Sequence, residues 1–229
     1  MRRTTERRIA QLERVLAGQK HLLVLIYGNP DPDGLASAWA LQRVTATMGV
    51  TAQIRYTGEL GRIENEAMVR LLEIPVRRAT ADELEAAELI AVVDAQPEFF
   101  RNAPLPRCDV VIDHHPRKRG PQPIVAAMTD IRVSAIATSS ILTEYLVGRG
   151  VTIDTKLATA LYYGIQTDSR NLQRNASNLD TDALLQLEQR VDRALLRRIE
   201  FSCYSLARLD YFAVALVRLR YSENVLYSH

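Results

Sequence analysis

His21-Leu22-Leu23-Val24-Leu25-Ile26-Tyr27 is a continuous apolar run of strand length that breaks off at Gly28-Asn29-Pro30-Asp31-Pro32-Asp33-Gly34. A strand with one wet face alternates polar and apolar side chains. This run does not, so it belongs in a parallel sheet covered on both faces. Gly, Asn, Pro and Asp are turn formers, and their sudden density marks where the chain leaves the sheet.

Outward from this run, residues 34–48 are rich in Ala and Leu and read as a helix, 51–57 as a second strand and 63–72 as a helix. Further strands are expected at 89–94, 109–113 and 124–128, and helices at 137–147, 156–165, 178–189 and 193–220. On the amino-terminal side, Ile9, Leu12, Val15 and Leu16 stand at helical spacing within 5–17, and Gly18 supplies a stop. Residues 221–227 open another strand. Strands that alternate with helices imply an α/β fold: a doubly wound, mainly parallel sheet of five or six strands with helices on both faces, followed by a helical carboxyl-terminal segment.

At 229 residues the chain is long enough for one α/β domain with a full core. Its 47% apolar and 24% charged residues exclude a disordered or membrane-embedded chain. No run approaches the length of a spanning helix, and Met1-Arg2-Arg3 leads into a polar amphipathic stretch, so a cytoplasmic address without membrane partners is expected. Cys108 and Cys203 have no Cys or His at zinc-finger spacing, so neither a disulfide framework nor structural zinc is implied. The net charge of +2 is too small to imply a nucleic-acid footprint by itself.

Three expected strands end in aspartate: Tyr27 leads to Asp31 and Asp33, Val92-Val93 to Asp94, and Val111-Ile112 to Asp113-His114-His115. In an open parallel sheet the carboxyl ends of the strands share one edge, so loops distant in sequence meet there. Carboxylates about 4 Å apart repel by roughly 1–4 kcal/mol per pair, which calls for a cation. Oxygen ligands alone suit magnesium or calcium; added imidazole favours manganese, iron, cobalt or zinc, with manganese the first choice. A lone Asp after a strand is more often a cap or turn former, and the turn chemistry around Asp31 and Asp33 explains those two without a metal. The Asp113-His114-His115 triplet resists that explanation, since it holds two of only four histidines.

Pro116-Arg117-Lys118-Arg119-Gly120 places three cations beside this point, suited to a second substrate phosphate and equally to a solvated loop. Ala137-Thr138-Ser139-Ser140 reads either as a phosphate-binding helix start or as a plain cap. Trp39 reads as core.

At these residues the sequence resembles the DHH phosphoesterases, the superfamily of RecJ-type exonucleases, nanoRNases, cyclic-dinucleotide phosphodiesterases and family II inorganic pyrophosphatases. The resemblance spans about residues 20–190. Asn29-Pro30-Asp31-Pro32-Asp33-Gly34 is similar to the first motif, Val93-Asp94 to the second, Asp113-His114-His115 to the third and Gly164-Ile165-Gln166-Thr167-Asp168 to the fourth. The resemblance implies two manganese ions, with magnesium or cobalt as substitutes. Asp31 and Asp94 hold one, and Asp33, Asp94, His114 and Asp168 the other, with Asp94 bridging. His115 is implied to face the scissile phosphate, Asp113 to orient the histidines, and Asn29, Arg117 and Arg119 are expected on the substrate side.

These expectations define a phosphoesterase domain over residues 1–192 and a helical linker over 193–229 that starts a second lobe. Nothing resembles the glycine-rich, histidine-containing motif with which that lobe grips nucleotides. The expected function is manganese-dependent hydrolysis of small nucleotides or short oligonucleotides, with a homodimer or a separate substrate lobe as partner. A nucleotide- or metal-binding regulatory module with weak or no hydrolysis is the alternative, and an inorganic pyrophosphatase the third.

One departure carries a prediction. The family has histidine four residues before the first paired aspartate, and Tyr27 stands there. A neutral phenol is a poor divalent-metal ligand. Tyr27→His is therefore expected to tighten metal binding and raise hydrolysis of a good substrate; identical metal titrations and rates in the two proteins would refute this.

Overall fold

β1 (His21–Ile26) has no polar face after His21, and it lies in the interior of the sheet, paired in parallel with β2 (Thr51–Tyr56) on one side and β4 (Ile90–Val93) on the other. A computed structural model describes residues 3–97, 105, 107–117, 124–170, 173, 176–203, 206–222 and 225–228. The sheet continues through β3 (Val76–Arg78) at one edge and through β5 (Val110–Asp113) to β6 (Met128–Ile131) at the other. All pairs are parallel, in the order β3-β2-β1-β4-β5-β6. Order reverses between β1 and β4, which opens a crevice at their carboxyl ends.

The register aligns those ends. Ile26 pairs with Val93, and Val93 with Ile112, so the residues that follow each strand emerge at one edge. Alternation sorts the two faces. Leu22, Val24 and Ile26 enter the larger apolar cluster, while Leu23 and Leu25 join Ile90 and Val92 in a smaller one.

The larger cluster is covered by α1 (Arg3–Leu16), α2 (Pro32–Ala46), α3 (Ile63–Leu72), α5 (Thr138–Gly148), α6 (Thr155–Asp168), α7 (Asn178–Glu188) and α8 (Arg193–Glu200). α2 is buried almost throughout, and its alanines Ala36, Ala38 and Ala40 leave room for close neighbours. Trp39 is core, as expected. The smaller cluster is capped by Leu84 of α4 (Ala81–Ala86) with Leu105 and Cys108. Helices thus lie on both faces, unequally. Burial pushes the Cys108 thiol up to about 12, which keeps it protonated and inert.

Four elements differ from expectation. The last strand begins at Met128 and not at 124, and it carries Asp130 into the interior. That charge is buried because Arg132 and the Tyr145 hydroxyl donate to it at 2.7 and 2.8 Å. The helix expected over 193–220 is broken into α8, a tight turn at Phe201–Cys203 and α9 (Leu206–Val217), after which β7 (Arg220–Ser222) and β8 (Val225–Tyr227) form a hairpin. β3 and α4 were not expected. α4 has its own start signal, a capping box in which Thr80 accepts from Glu83 while the Glu83 carboxylate accepts from Thr80.

Leu196 and Ile199 of α8 are buried in the larger cluster, whereas Tyr211, Phe212, Val214, Leu216 and Val217 of α9 are exposed. Among the described residues no helix is long and apolar enough to cross a membrane.

Leu41 of α2 is fully buried, while Val125 is 86% exposed. Leu41→Ala is expected to lower the unfolding free energy by about 2–5 kcal/mol in denaturant titration, and Val125→Ala to stay within about 0.5 kcal/mol.

Candidate metal centre

Each acidic side chain at the crevice is held by its own backbone device. Asp31 is the N-cap of α2, accepting from Gly34 N at 2.9 Å. Asp33 sits in the first turn of that helix with no exposed surface, and its oxygens accept from the backbone of Thr138 and Ser139, each at 2.7 Å. The amino-terminal end of α5 is therefore occupied by Asp33. Of the two readings of Ala137-Thr138-Ser139-Ser140, the structure gives neither: the segment anchors a carboxylate. The Thr138 hydroxyl also donates to Asp94 at 3.1 Å.

Asp94 follows β4 in a left-handed conformation, φ 57°, which costs a non-glycine residue about 1 kcal/mol. Its backbone N–H donates to the Ile112 carbonyl at 3.0 Å, fixing the turn against β5. Asp168 ends α6, and Gly164 lets that helix close in: a Cβ there would stand 2.6 Å from Ser139 Oγ and 3.1 Å from Asp33 Cα. Gly34 does the same at α2, where a Cβ would meet an Ile26 methyl at 2.9 Å.

The Asp113-His114-His115 triplet serves two directions. Asp113 and His115 share one side, and Nδ1 of His115 lies 2.9 Å from Asp113 Oδ1. The His114 ring lies beside that of His115, with centroids 4.2 Å apart. Its Nε2 lies 3.2 Å from Asp168 Oδ2, 3.5 Å from Asp94 Oδ1 and 3.9 Å from Asp33 Oδ2. This nitrogen is buried and is aligned with none of the three as a hydrogen bond. Its lone pair, or its proton, faces the space among three carboxylates.

The electrostatics follow. Burial, then Asp33, Asp31 and Asp168, hold the Asp94 carboxyl well above the usual range. Burial and then Asp168 raise Asp33, against the opposing effect of His114 and the Ser139 donors. Burial and Asp33 raise Asp31. Burial would lower His114, but Asp168 and Asp33 outweigh it and raise the imidazole to about 9. Asp113 differs: burial would raise it, yet hydrogen bonds from His115 and Gln96 hold it below the ordinary value.

Two groups present ligand atoms within 4.8 Å of one another: Asp33, His114 and Asp168, and Asp94, His114 and His115. The first, with Asp94 alongside, contains the four residues expected at the second metal. An orphaned buried imidazole nitrogen among three carboxylates, with Asp33 and Asp94 held above their usual range, fits a divalent cation, and the mixed nitrogen and oxygen donors suit manganese, cobalt or zinc better than calcium. Asp31 lies near Asp94 but in neither group. Tyr27 packs against the smaller apolar cluster.

Of the expected substrate-side residues, Asn29 is exposed, with its carbonyl oxygen accepting from Glu59 N at 2.8 Å, so that atom ties the turn after β1 to the loop after β2. Arg117 is exposed two residues after His115. Arg119 lies outside the described residues. Two partners escaped the sequence reading. Thr138 was legible only as a hydroxyl at a helix start, and Gln96 carried no signal beyond being polar two residues after Asp94.

A parallel α/β sheet with carboxylates and imidazole gathered at its topological switch point defines a metal-centre domain. The chain belongs to the DHH family: that family's N-terminal domain matches residues 23–165. A protein of Methanocaldococcus jannaschii of no described function is 36% identical over 216 residues, covering 94% of this chain and 44% of its own length. This chain thus spans less than half of that relative. Among solved structures, an exopolyphosphatase-related protein from Bacteroides fragilis is similar in fold, with a TM-score of 0.72 and 15% identity over 95% of this chain and 67% of that one. A manganese-bound exonuclease RecJ matches more loosely, with a TM-score of 0.48 and 19% identity over 88% of this chain and 52% of that one.

The shifts fix a direction with pH. Carboxylates whose folded pKa is raised add stability as pH falls through those raised values. His114, raised to about 9 from 6.5, contributes stability that is full below 6.5 and lost as pH rises through about 9. Metal-free protein is therefore expected to lose Tm between pH 6.5 and 9, and added manganese to offset most of that loss. A Tm at the upper pH that chelator and manganese leave equal would contradict the site.

Proposed function

We propose that this chain is the catalytic domain of a metal-dependent phosphoesterase that hydrolyses phosphate esters of small nucleotides or short oligonucleotides. Membership of the DHH family points to metal-dependent phosphoester hydrolysis. The observation that carries the reading is the convergence of His114 Nε2 with the carboxylates of Asp33, Asp94 and Asp168.

In this reading Asp33, Asp94, His114 and Asp168 hold one divalent ion and Asp31 with Asp94 the other, manganese first, with magnesium or cobalt able to substitute. Such ions supply a Lewis acid for the phosphoryl oxygens and a water of lowered pKa. The protein's own groups do the rest. Asp33 and Asp94 are fixed by Thr138 and Ser139, so the ligand atoms do not reorganise during the reaction. Asp113 holds Nδ1 of His115, which turns Nε2 away from it and presents that atom to the phosphate, where it stabilises developing charge or gives a proton to the leaving oxygen. Arg117 supplies positive charge for a second phosphate.

Tyr27 supports a second reading, a nucleotide- or metal-binding regulatory module with weak hydrolysis, because it leaves the Asp31 side short of a ligand. The exposed apolar side chains from Leu209 to Tyr227 would receive a second lobe or a second copy of the chain that selects the substrate.

The test is a manganese-supplemented assay against dinucleotides, cyclic dinucleotides, phosphoadenosine phosphate and pyrophosphate, with Asp94→Ala beside the native chain. Turnover of a nucleotide is expected, falling at least about 100-fold in the variant, equivalent to roughly 2.7 kcal/mol of lost transition-state stabilisation. Tight binding with no turnover of any of the four would favour the regulatory module, and turnover of pyrophosphate alone a pyrophosphatase.

A further inference from the structure

Gln96 belongs to neither ligand group, yet it is fully buried two residues past Asp94. Its Nε2 donates to Asp113 Oδ2 at 2.6 Å and to the backbone carbonyl of His115 at 2.8 Å. The other oxygen of Asp113 faces His115 Nδ1. One amide therefore grips both supports of the His115 ring: the carboxylate that fixes its nitrogen and the main chain from which it hangs.

The orientation of that amide is set by its neighbours. Turned round, its oxygen would face a carboxylate and a carbonyl, two acceptors without a proton between them. As placed, Oε1 is buried and takes no hydrogen bond from the described residues. A buried orphan acceptor is destabilising. Packing alone would be met by an aliphatic side chain of the same size with no such oxygen, so the feature that the amide adds is its pair of N–H donors.

The donors matter because the His115 side chain is 42% exposed and its Nδ1 is set by the carboxylate of Asp113. A single hydrogen bond to Asp113 would hold the ring only as well as the carboxylate itself is held. Asp113 can turn about its own Cβ–Cγ bond unless its second oxygen is also tied, and Gln96 ties it.

We infer that Gln96 is a positioning residue for His115: it immobilises the Asp113–His115 pair so that the ring is carried towards the substrate phosphate. The part played by His115 rests on the hydrolase reading above; the part played by Gln96 rests on the hydrogen bonds.

Gln96→Met keeps the volume and removes the donors, and Gln96→Leu, smaller and also without donors, gives the same comparison should Met disturb folding. With manganese and bis(p-nitrophenyl) phosphate as probe, kcat is expected to fall about 10–100-fold with KM unchanged, as for other partners that orient site residues. In a His115→Gln background the same change should cost nothing further, because the ring it positions is gone. Equal losses in both backgrounds would overturn the inference.

A second measurement needs no turnover. The Nδ1 proton of His115, assigned in the NMR spectrum by its absence in His115→Gln, should be a hydrogen-bonded resonance in the native chain and be lost or moved upfield in Gln96→Met. An unchanged resonance overturns the role of Gln96 whatever the rates. Absence of hydrolysis by the native chain would sink the hydrolase reading, and the NMR comparison would still decide Gln96.

Discussion

Mutual repulsion among buried carboxylates is the constraint around which this molecule is arranged. Asp33 has no exposed surface, Asp94 very little, and Asp168 and Asp31 close in on them from two further directions. Two ionised carboxylates about 4 Å apart repel by roughly 4 kcal/mol at the effective dielectric near a protein surface. The fold resists this with rigid supports: the parallel register that brings Ile26, Val93 and Ile112 level, the α5 backbone donors on Asp33, and the close approach of α6 at Gly164. Positive charge completes the balance. Without a metal it comes from protons, which is the meaning of the raised pKa values; a divalent ion supplies more charge in less space.

That demand explains why two adjacent histidines have different surroundings. The rings are neighbours, with centroids 4.2 Å apart, yet His114 Nε2 faces three carboxylates while His115 Nδ1 is held by Asp113. Asp113 is the one acid of the cluster held below its ordinary pKa, because its hydrogen bonds favour the charged form where burial does not. An Asp113 whose hydrogen bonds favour its charged form suits the support of an imidazole; acids of raised pKa suit exchange of a proton for a metal.

Much of this was legible in the sequence for one reason. A parallel sheet places every strand's carboxyl end at the same edge, so aspartates after three apolar runs could be assigned to one place without knowing the contacts. What escaped lacked such a rule. Asp33 finds its donors at Thr138 and Ser139, over a hundred residues away, and no local pattern marks that meeting. β3 is three residues long and two of them are arginines, too short for periodicity to register. β6 was misplaced because Asp130 reads as a strand breaker until Arg132 and Tyr145 are known to satisfy it. The long carboxyl-terminal helix reads as unbroken because Phe201–Cys203 holds no Gly or Pro to mark the turn.

The two sides of the cluster are chemically unequal, and the inequality traces back to the alternation of β1. Residues Leu22, Val24 and Ile26 face the larger core; Leu23 and Leu25 face the smaller, and Tyr27, next in that series, packs with them. The phenol thus completes an apolar surface at the point where the family carries an imidazole. Around His114, three carboxylates and a buried ring nitrogen converge, a donor set of mixed hardness and high negative charge. Beside Asp31 the available groups are Asp31 itself and the neighbouring Asp94, with Nδ1 of His115 engaged by Asp113. Affinity for a cation rises with the number and charge of its ligands, so under the phosphoesterase reading an ion beside Asp31 would be held by fewer charges than one beside His114. In that reading, chemistry that needs both ions would be limited by occupancy of the weaker place, on the side of the cluster where Tyr27 stands in place of an imidazole.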